Sequence, residues 1–347
     1  MPVAGGAAWP ACASAAAKPP PWPWNWPPEQ PRASPRHTRE KRKMSNPRIG
    51  FIGVGLMGHG MAKNLLLKGF AVSILGHRNR APVEDLVSRG AREARDVADV
   101  VQSSDIVFLC VTGTPEVEDL MHRPGGVLGS ARAGQIVVDT STSQPASTQR
   151  LAEQARAKGV RFVDAPLART PVEAEEGRLN SFVGADAQTF AELRPALAAY
   201  SENIFHMGEV GTGHKIKLLN NAMGIGIAAL TSEMLAACAK LGVDWTKFFE
   251  VVSGGPLNNV MFQRIAGGAA EGDLDRMKFT VRNAAKDLRY YAQMAAEAGV
   301  AGALAPAVLQ TLLQTMGRGY GDQFLAHMVK GLLEVNGVAM PVAGQPR

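Results

Sequence analysis

From Arg48 onward, short apolar runs alternate along the chain with longer helical stretches. "RIGFIGVG" is an apolar run closed by glycine, "HGMAKNLLLKG" reads as a helix ended by Gly69, and "AVSIL" is a second strand. "DIVFLCV", "QIVVDT" and "RFVDAPL" are further apolar runs, separated by helical segments such as "PASTQRLAEQARAKG". Strands that are apolar throughout and alternate with helices predict a parallel sheet covered on both faces, a doubly wound α/β fold. After Gly211 the alternation stops. "GTGHKIKLLNNAMGIGIAALTSEMLAACAKLG" reads as one long helix. The expected organisation is an α/β domain over 48–209, a second domain over 210–337 that begins with this helix, and a tail over 338–347.

Residues 1–47 have neither period. They hold half of the 22 prolines and four of the five tryptophans, Trp9, Trp22, Trp24 and Trp26, a composition that builds no core. We expect a disordered extension there, with Met44 as an alternative start of translation. Charge supports the division. The formal net charge is +6, and +5 of it comes from this segment, seven Lys and Arg against Glu29 and Glu40. The folded body is therefore nearly neutral, which argues against nucleic acid as a partner. The apolar stretches look short and broken, so no membrane span is expected. Cys12, Cys110 and Cys238 are widely spaced and odd in number, which argues against disulfides and zinc and fits a reducing cytoplasm. Cys110 reads as a core thiol. His59, His122 and His206 have no metal-ligand spacing, and no metal is expected.

Chemistry begins at the first turn. Gly53, Gly55 and Gly58 form G-x-G-x-x-G between strand and helix: a tight turn, a close backbone approach for a pyrophosphate, and a close helix packing. With Leu56 and Met57 this loop is the expected cofactor cradle, and Val111 and Thr112, after "DIVFLC", extend it. The second strand ends in "LGHRNRAP", with no carboxylate until Glu84. Arg78, Asn79 and Arg80 there suit the 2′-phosphate of NADP(H) better than the bare ribose of NAD(H). "TSTSQP" places Ser141 and Thr142 beyond a strand end, where ligands bind in open α/β sheets, although a helix-capping loop explains them as well. On the long helix, His214, Lys217 and Asn221 lie at i, i+3 and i+7 with Asn220 beside them. This polar stripe on an apolar helix is either a solvent-facing side or an acid–base group at the crevice.

"GFIGVGLMGHGMAKNLL", "VVDTSTSQP", "FVDAPLARTP", "GTGHKIKLLNN" and "AAKDLRYY" together resemble, in order and spacing, the β-hydroxyacid dehydrogenases, from about Arg48 to Gly337. The resemblance implies a Rossmann domain, a long interdomain helix, and an all-α C-terminal domain that builds a homodimer or homotetramer. It implies Lys217 as the catalytic lysine, Asn221 as its companion, Ser141 and Thr142 in the substrate loop, and Lys286 near the nicotinamide. The expected reaction is hydride transfer between NAD(P) and a small anionic 3-hydroxy acid or semialdehyde.

One stretch departs from that pattern. Most such enzymes have Ser-Gly-Gly where this chain has Ala168-Arg169-Thr170. A guanidinium matches a carboxylate or a sulfonate, so Arg169, with Thr170 and Asn220, is expected to anchor the substrate's anionic end. The alternative for Arg169 is an ion pair with Glu173 or Glu175. The sulfolactaldehyde reductases carry a Gly-Arg-Thr version of this loop, which Ala168-Arg169-Thr170 resembles, although this chain has Gly224 where those carry a serine. Imine-reducing relatives usually lack the lysine, and partner-binding relatives add a reader module, so Lys217 favours an enzyme that reduces a carbonyl.

Overall fold

Nine strands form one sheet: β1 (Ile49–Ile52), β2 (Val72–Leu75), β3 (Arg92–Ala94), β4 (Ile106–Leu109), β5 (Ile136–Asp139), β6 (Arg161–Asp164), β7 (Leu167–Ala168), β8 (Leu179–Gly184) and β9 (Ser201–Gly208). The computed structural model describes residues 46–341, so the expectations for the N-terminal extension, for Cys12 and for residues 342–347 lie outside the described residues. The order is β3-β2-β1-β4-β5-β6-β8-β7, with β9 on β8. The first six strands are parallel, as the alternation predicts. Beyond them the sheet is mixed: β8 runs antiparallel to β6 and β7 and parallel to β9.

Burial explains the uninterrupted apolar strands. Ile106 and Phe108 of β4 and Ile136 and Val138 of β5 enter a core on one face, while Val107, Leu109 and Val137 enter a second core on the other. Successive side chains of a strand point to opposite faces, so a sheet covered on both sides needs apolar residues at every position. Phe51 stacks on Phe108 at 5.9 Å between centroids, and Tyr200 meets Phe108 edge-on.

The chain reverses its winding at β1, which lies between β2 and β4. The crevice beyond the carboxyl ends of β1 and β4 is where such sheets bind ligands, and Gly53–Gly58 and Cys110–Thr112 lie there.

The long helix spans Thr212–Leu241 and is bounded by Gly211 and Gly242, both left-handed. Asp164, the last residue of β6, fixes its start: the N–H groups of Gly211 and His214 donate to the Asp164 carboxylate at 2.6 and 2.7 Å. Further along, Ile225, Ala228, Leu235 and Ala236 form the centre of a third core with the later helices, Val281–Glu297, Leu304–Thr315 and Met328–Val335 among them. By length and composition this helix is apolar enough to cross a membrane, which the reading of short, broken apolar stretches missed. Half of its most apolar window is buried inside the fold, as befits a helix joining two cores.

Candidate active site

Two of the three glycines shape the first turn by what they exclude. A Cβ on Gly53, at φ +103°, would meet the Cys110 carbonyl at 2.1 Å, and one on Gly58 would meet the Gly53 carbonyl at 1.9 Å. Gly55 has open space around it. Bare backbone thus faces the crevice where a pyrophosphate would lie, at the start of the helix Gly58–Leu67. Gly55, Leu56, Met57 and Gly58 line a cleft of about 340 Å³ together with Val111, Thr112, Ser141, Thr142, Lys217, Asn221 and Lys286. Residues taken from five separate motifs therefore meet in one cavity. Ser141 is tied into it, its Oγ accepting the Val111 N–H at 3.0 Å.

Lys217 and Asn221 come from one face of the long helix. Partial burial holds the Lys217 ammonium down to about 8; the Asp287 carboxylate opposes that shift and the Lys286 charge adds to it. Asn221 donates its Nδ2 to Asp287 Oδ2 at 2.7 Å, and Asp287 pairs through Oδ1 with Lys286 at 2.9 Å. Lys286 Nζ also donates to the carbonyls of Thr112 at 2.5 Å and Thr142 at 3.3 Å. One side chain from the helical half thus links two strand-end loops. Asn220 is exposed and donates weakly to Asn221 Oδ1 at 3.4 Å.

His214, the third member of the stripe, is fully buried. Its Nδ1 lies 2.8 Å from the Thr148 hydroxyl and its Nε2 lies 3.1 Å from the Ser141 carbonyl. It sits between Asp139 and Asp164, register partners on β5 and β6, at 3.7 and 3.8 Å. Burial pushes the Asp164 carboxyl above its usual range, and the His214 charge and the two backbone N–H groups oppose this. The histidine therefore supports the Ser141 loop from beneath, and the helix start is capped by Asp164.

Three expectations change. Arg169 donates to Glu202 and, at 2.5 Å, to the Arg178 carbonyl, so its partner is neither Glu173 nor Glu175. Glu202 is on β9, a strand with no visible link in sequence to this loop. Thr170 gives both its N–H and its hydroxyl to Glu173, capping the helix Pro171–Glu175. Arg80 pairs with Glu93 of β3 at 2.7 and 2.9 Å, so the second strand's end does meet a carboxylate, supplied by the neighbouring strand. Arg78 pairs with no carboxylate among the described residues, while Asn79 and His77 line a cavity of about 410 Å³ with Gly53, Gly55 and Thr112. Cys110 also lines both cavities; burial pushes its thiol up to about 11, which keeps it protonated and non-nucleophilic at neutral pH. Among the described residues no group of three or more His, Cys, Asp or Glu could hold a metal.

The family described as "NAD binding domain of 6-phosphogluconate dehydrogenase" matches residues 48–208, and "NAD-binding of NADP-dependent 3-hydroxyisobutyrate dehydrogenase" matches 211–332. The chain is 34% identical over 251 residues to 3-hydroxyisobutyrate dehydrogenase of Pseudomonas aeruginosa, covering 69% of this chain and 82% of that one. The chain belongs to the β-hydroxyacid dehydrogenase family. Like other β-hydroxyacid dehydrogenases it is an NAD(P)-dependent oxidoreductase. This dehydrogenase is also 36% identical over 206 residues to 2-(hydroxymethyl)glutarate dehydrogenase of Eubacterium barkeri, covering 59% of this chain and 68% of that one. Its fold matches a solved 3-hydroxyisobutyrate dehydrogenase from Salmonella typhimurium with a TM-score of 0.73 at 24% identity, over 82% of this chain and 99% of that chain.

Sequence reasoning missed Asp287, Asp164 and Asp139. A signal for Asp287 existed: it falls among Val281, Ala284, Ala285 and Leu288, the buried face of its helix, where an unpaired carboxylate would be costly.

Proposed function

We propose that this chain reduces a small semialdehyde bearing a carboxylate or sulfonate, or oxidises the matching 3-hydroxy acid, with Lys217 as the acid–base group and NADP(H) preferred. The observation that carries the reading is Lys217 itself, a partly buried amine near neutrality in the same cavity as the glycine cradle. When bound there, the nicotinamide supplies or takes up the hydride. Lys217 gives a proton to the carbonyl oxygen as negative charge develops on it, and accepts one in the reverse direction. A pKa near 8 keeps both of its forms accessible at neutral pH. Asp287 fixes the Asn221 amide, so that its carbonyl oxygen and second N–H are oriented for a substrate hydroxyl or carbonyl. Lys286, anchored on Thr112 and Thr142, holds the two strand-end loops around the nicotinamide position.

Arg78, free of any carboxylate among the described residues, and Asn79, on the cavity wall, support NADP(H), since a 2′-phosphate would be matched by a guanidinium. Assembly through the helical half is part of the same proposal. Met223 and Leu230 of the long helix and Leu304 are largely exposed along one apolar groove of about 590 Å³, a surface that suits a second copy and a homodimer or homotetramer. A reducing cytoplasm suits the free thiols of Cys110 and Cys238.

The test is turnover of NADPH and of NADH by the full chain against sulfolactaldehyde, tartronate semialdehyde, methylmalonate semialdehyde and succinic semialdehyde. Turnover with at least one of these, faster with NADPH, is the expected result. Silence with all four while NADPH still binds would remove the carbonyl-reductase reading.

A further inference from the structure

The cleft continues past Lys217. Lys217, Asn221, Arg169 and Phe279 line the cofactor cleft and also a second cavity of about 200 Å³, which extends to Arg264, Met277 and Lys278 of the helical half. Besides Lys217, three cations line this second cavity, and they are not equally engaged. Arg169 is neutralised by Glu202. Arg264 has its nearest carboxylate, Glu173, at 3.9 Å, the outer limit of an ion pair, and the other oxygen of Glu173 is committed to Thr170. Lys278 pairs with no carboxylate among the described residues.

The rest of the lining suits a short carbon chain. Met261, Met277 and Ile225 are apolar and lie between the same cavity and the helical core. Arg264 belongs to a π-helical turn, Gln263–Gly267, a local widening of the helix that recurs at functional sites. Two cations short of counter-charge, in a partly apolar cavity that shares its wall with an acid–base lysine, form an anion site for the far end of a substrate.

We propose that Arg264 and Lys278 hold the anionic tail of the substrate in this second cavity while its carbonyl carbon stays at Lys217. The inference rests on the reductase reading above and narrows it. The substrate class becomes an ω-anionic semialdehyde, with methylenes between the aldehyde and the charge, and the anchor moves from Arg169 to residues of the helical half. Arg169 becomes a positioning residue that holds its loop against β9.

The experiment compares kcat/KM for succinic semialdehyde with that for butanal, which has the same chain length and no charge, in the full-length wild type, R264Q, R264K and K278Q. The ratio of the two substrates should fall about tenfold to a hundredfold in R264Q, the size of one lost charge-assisted hydrogen bond, with the change in KM. R264K should recover part of it, and K278Q should lower the ratio in the same direction. An unchanged ratio in both R264Q and K278Q overturns the proposal. Calorimetric titration of succinate into the NADP+-loaded protein separates this from the reductase reading. Succinate binding that weakens in R264Q supports the anion site even if the wild type reduces no aldehyde, an outcome that sinks only the reductase reading. Equal succinate affinity in wild type and R264Q overturns the anion site whatever the turnover.

Discussion

Asn221 and Asp287 join two helices through a single hydrogen bond, from Nδ2 to Oδ2 at 2.7 Å, directly beside Lys217. Asp287 therefore acts twice, orienting the amide and raising the Lys217 pKa against the effect of burial. Replacing it by asparagine keeps the shape and removes the charge. The pH–rate profile of Asp287→Asn should then show the lysine's limb at lower pH than in the wild type, with a drop in kcat. A limb at the same pH would mean that Asp287 does not set the charge state of Lys217.

The direction of the wild-type profile follows from the roles assigned. Reduction needs protonated Lys217 and should decline above about pH 8, whereas oxidation needs the neutral amine and should rise toward a plateau above the same value. Measuring kcat/KM in both directions between pH 6 and 10 checks this, numbers chosen to bracket a pKa of about 8. Parallel profiles in the two directions would be incompatible with one group exchanging the proton.

Stability should move with the same group. Lys217 is charged in both the folded and unfolded states below about pH 8, so the burial penalty is then fully present. Above that value the folded protein sheds the proton while the unfolded chain keeps it until its ordinary pKa of 10.5, and stability from this site rises across that window. Lys217→Met should therefore stabilise the fold near pH 7 by up to about 2–3 kcal/mol, and by less as the pH rises. Thermal melts at pH 7 and pH 9.5 read the difference; a gain that grows with pH would have the wrong sign.

Arg169 occupies the left-handed region at φ +83°, the one non-glycine residue to do so among the described residues. That conformation costs about 1–2 kcal/mol for a residue with a Cβ. Arg169→Gly relieves it while removing the Glu202 pair, and should be close to neutral in stability. Arg169→Ala loses the pair and keeps the strain, so it should melt lower than Arg169→Gly. The reverse order would show that the backbone here is not strained.

Much of this was legible in the chain because the fold's demands are local. The apolar runs of β1, β4 and β5 had to be continuous once both faces were covered, and Gly53 and Gly58 each answer a steric need at the first turn. Lys217 and Asn221 stood out as polar positions on an apolar helix. What escaped was pairing across the fold. Glu93 reaches Arg80 from the next strand, Glu202 reaches Arg169 from β9, and Asp287 meets Asn221 from another helix. No periodicity within one segment encodes such partners, so basic residues that looked available in sequence are already engaged in the structure.

The Arg80–Glu93 pair has a consequence for the cofactor. Glu93→Gln removes the counter-charge that holds the Arg80 guanidinium, leaving it free to meet a 2′-phosphate beside Arg78. The variant should bind NADPH more tightly relative to NADH, by about threefold to tenfold, as read by fluorescence titration with both nucleotides. An unchanged ratio would place Arg80 outside the cofactor's reach.

The most direct test of the account is the turnover of Lys217→Ala measured with saturating NADPH, alongside NADPH binding by fluorescence. The account predicts that turnover on the best semialdehyde falls by about a hundredfold or more while nucleotide affinity stays within a factor of about two, as expected for loss of a general acid–base group. Turnover within a few-fold of wild type, with the nucleotide bound normally, would contradict it and require the proton to come from another group.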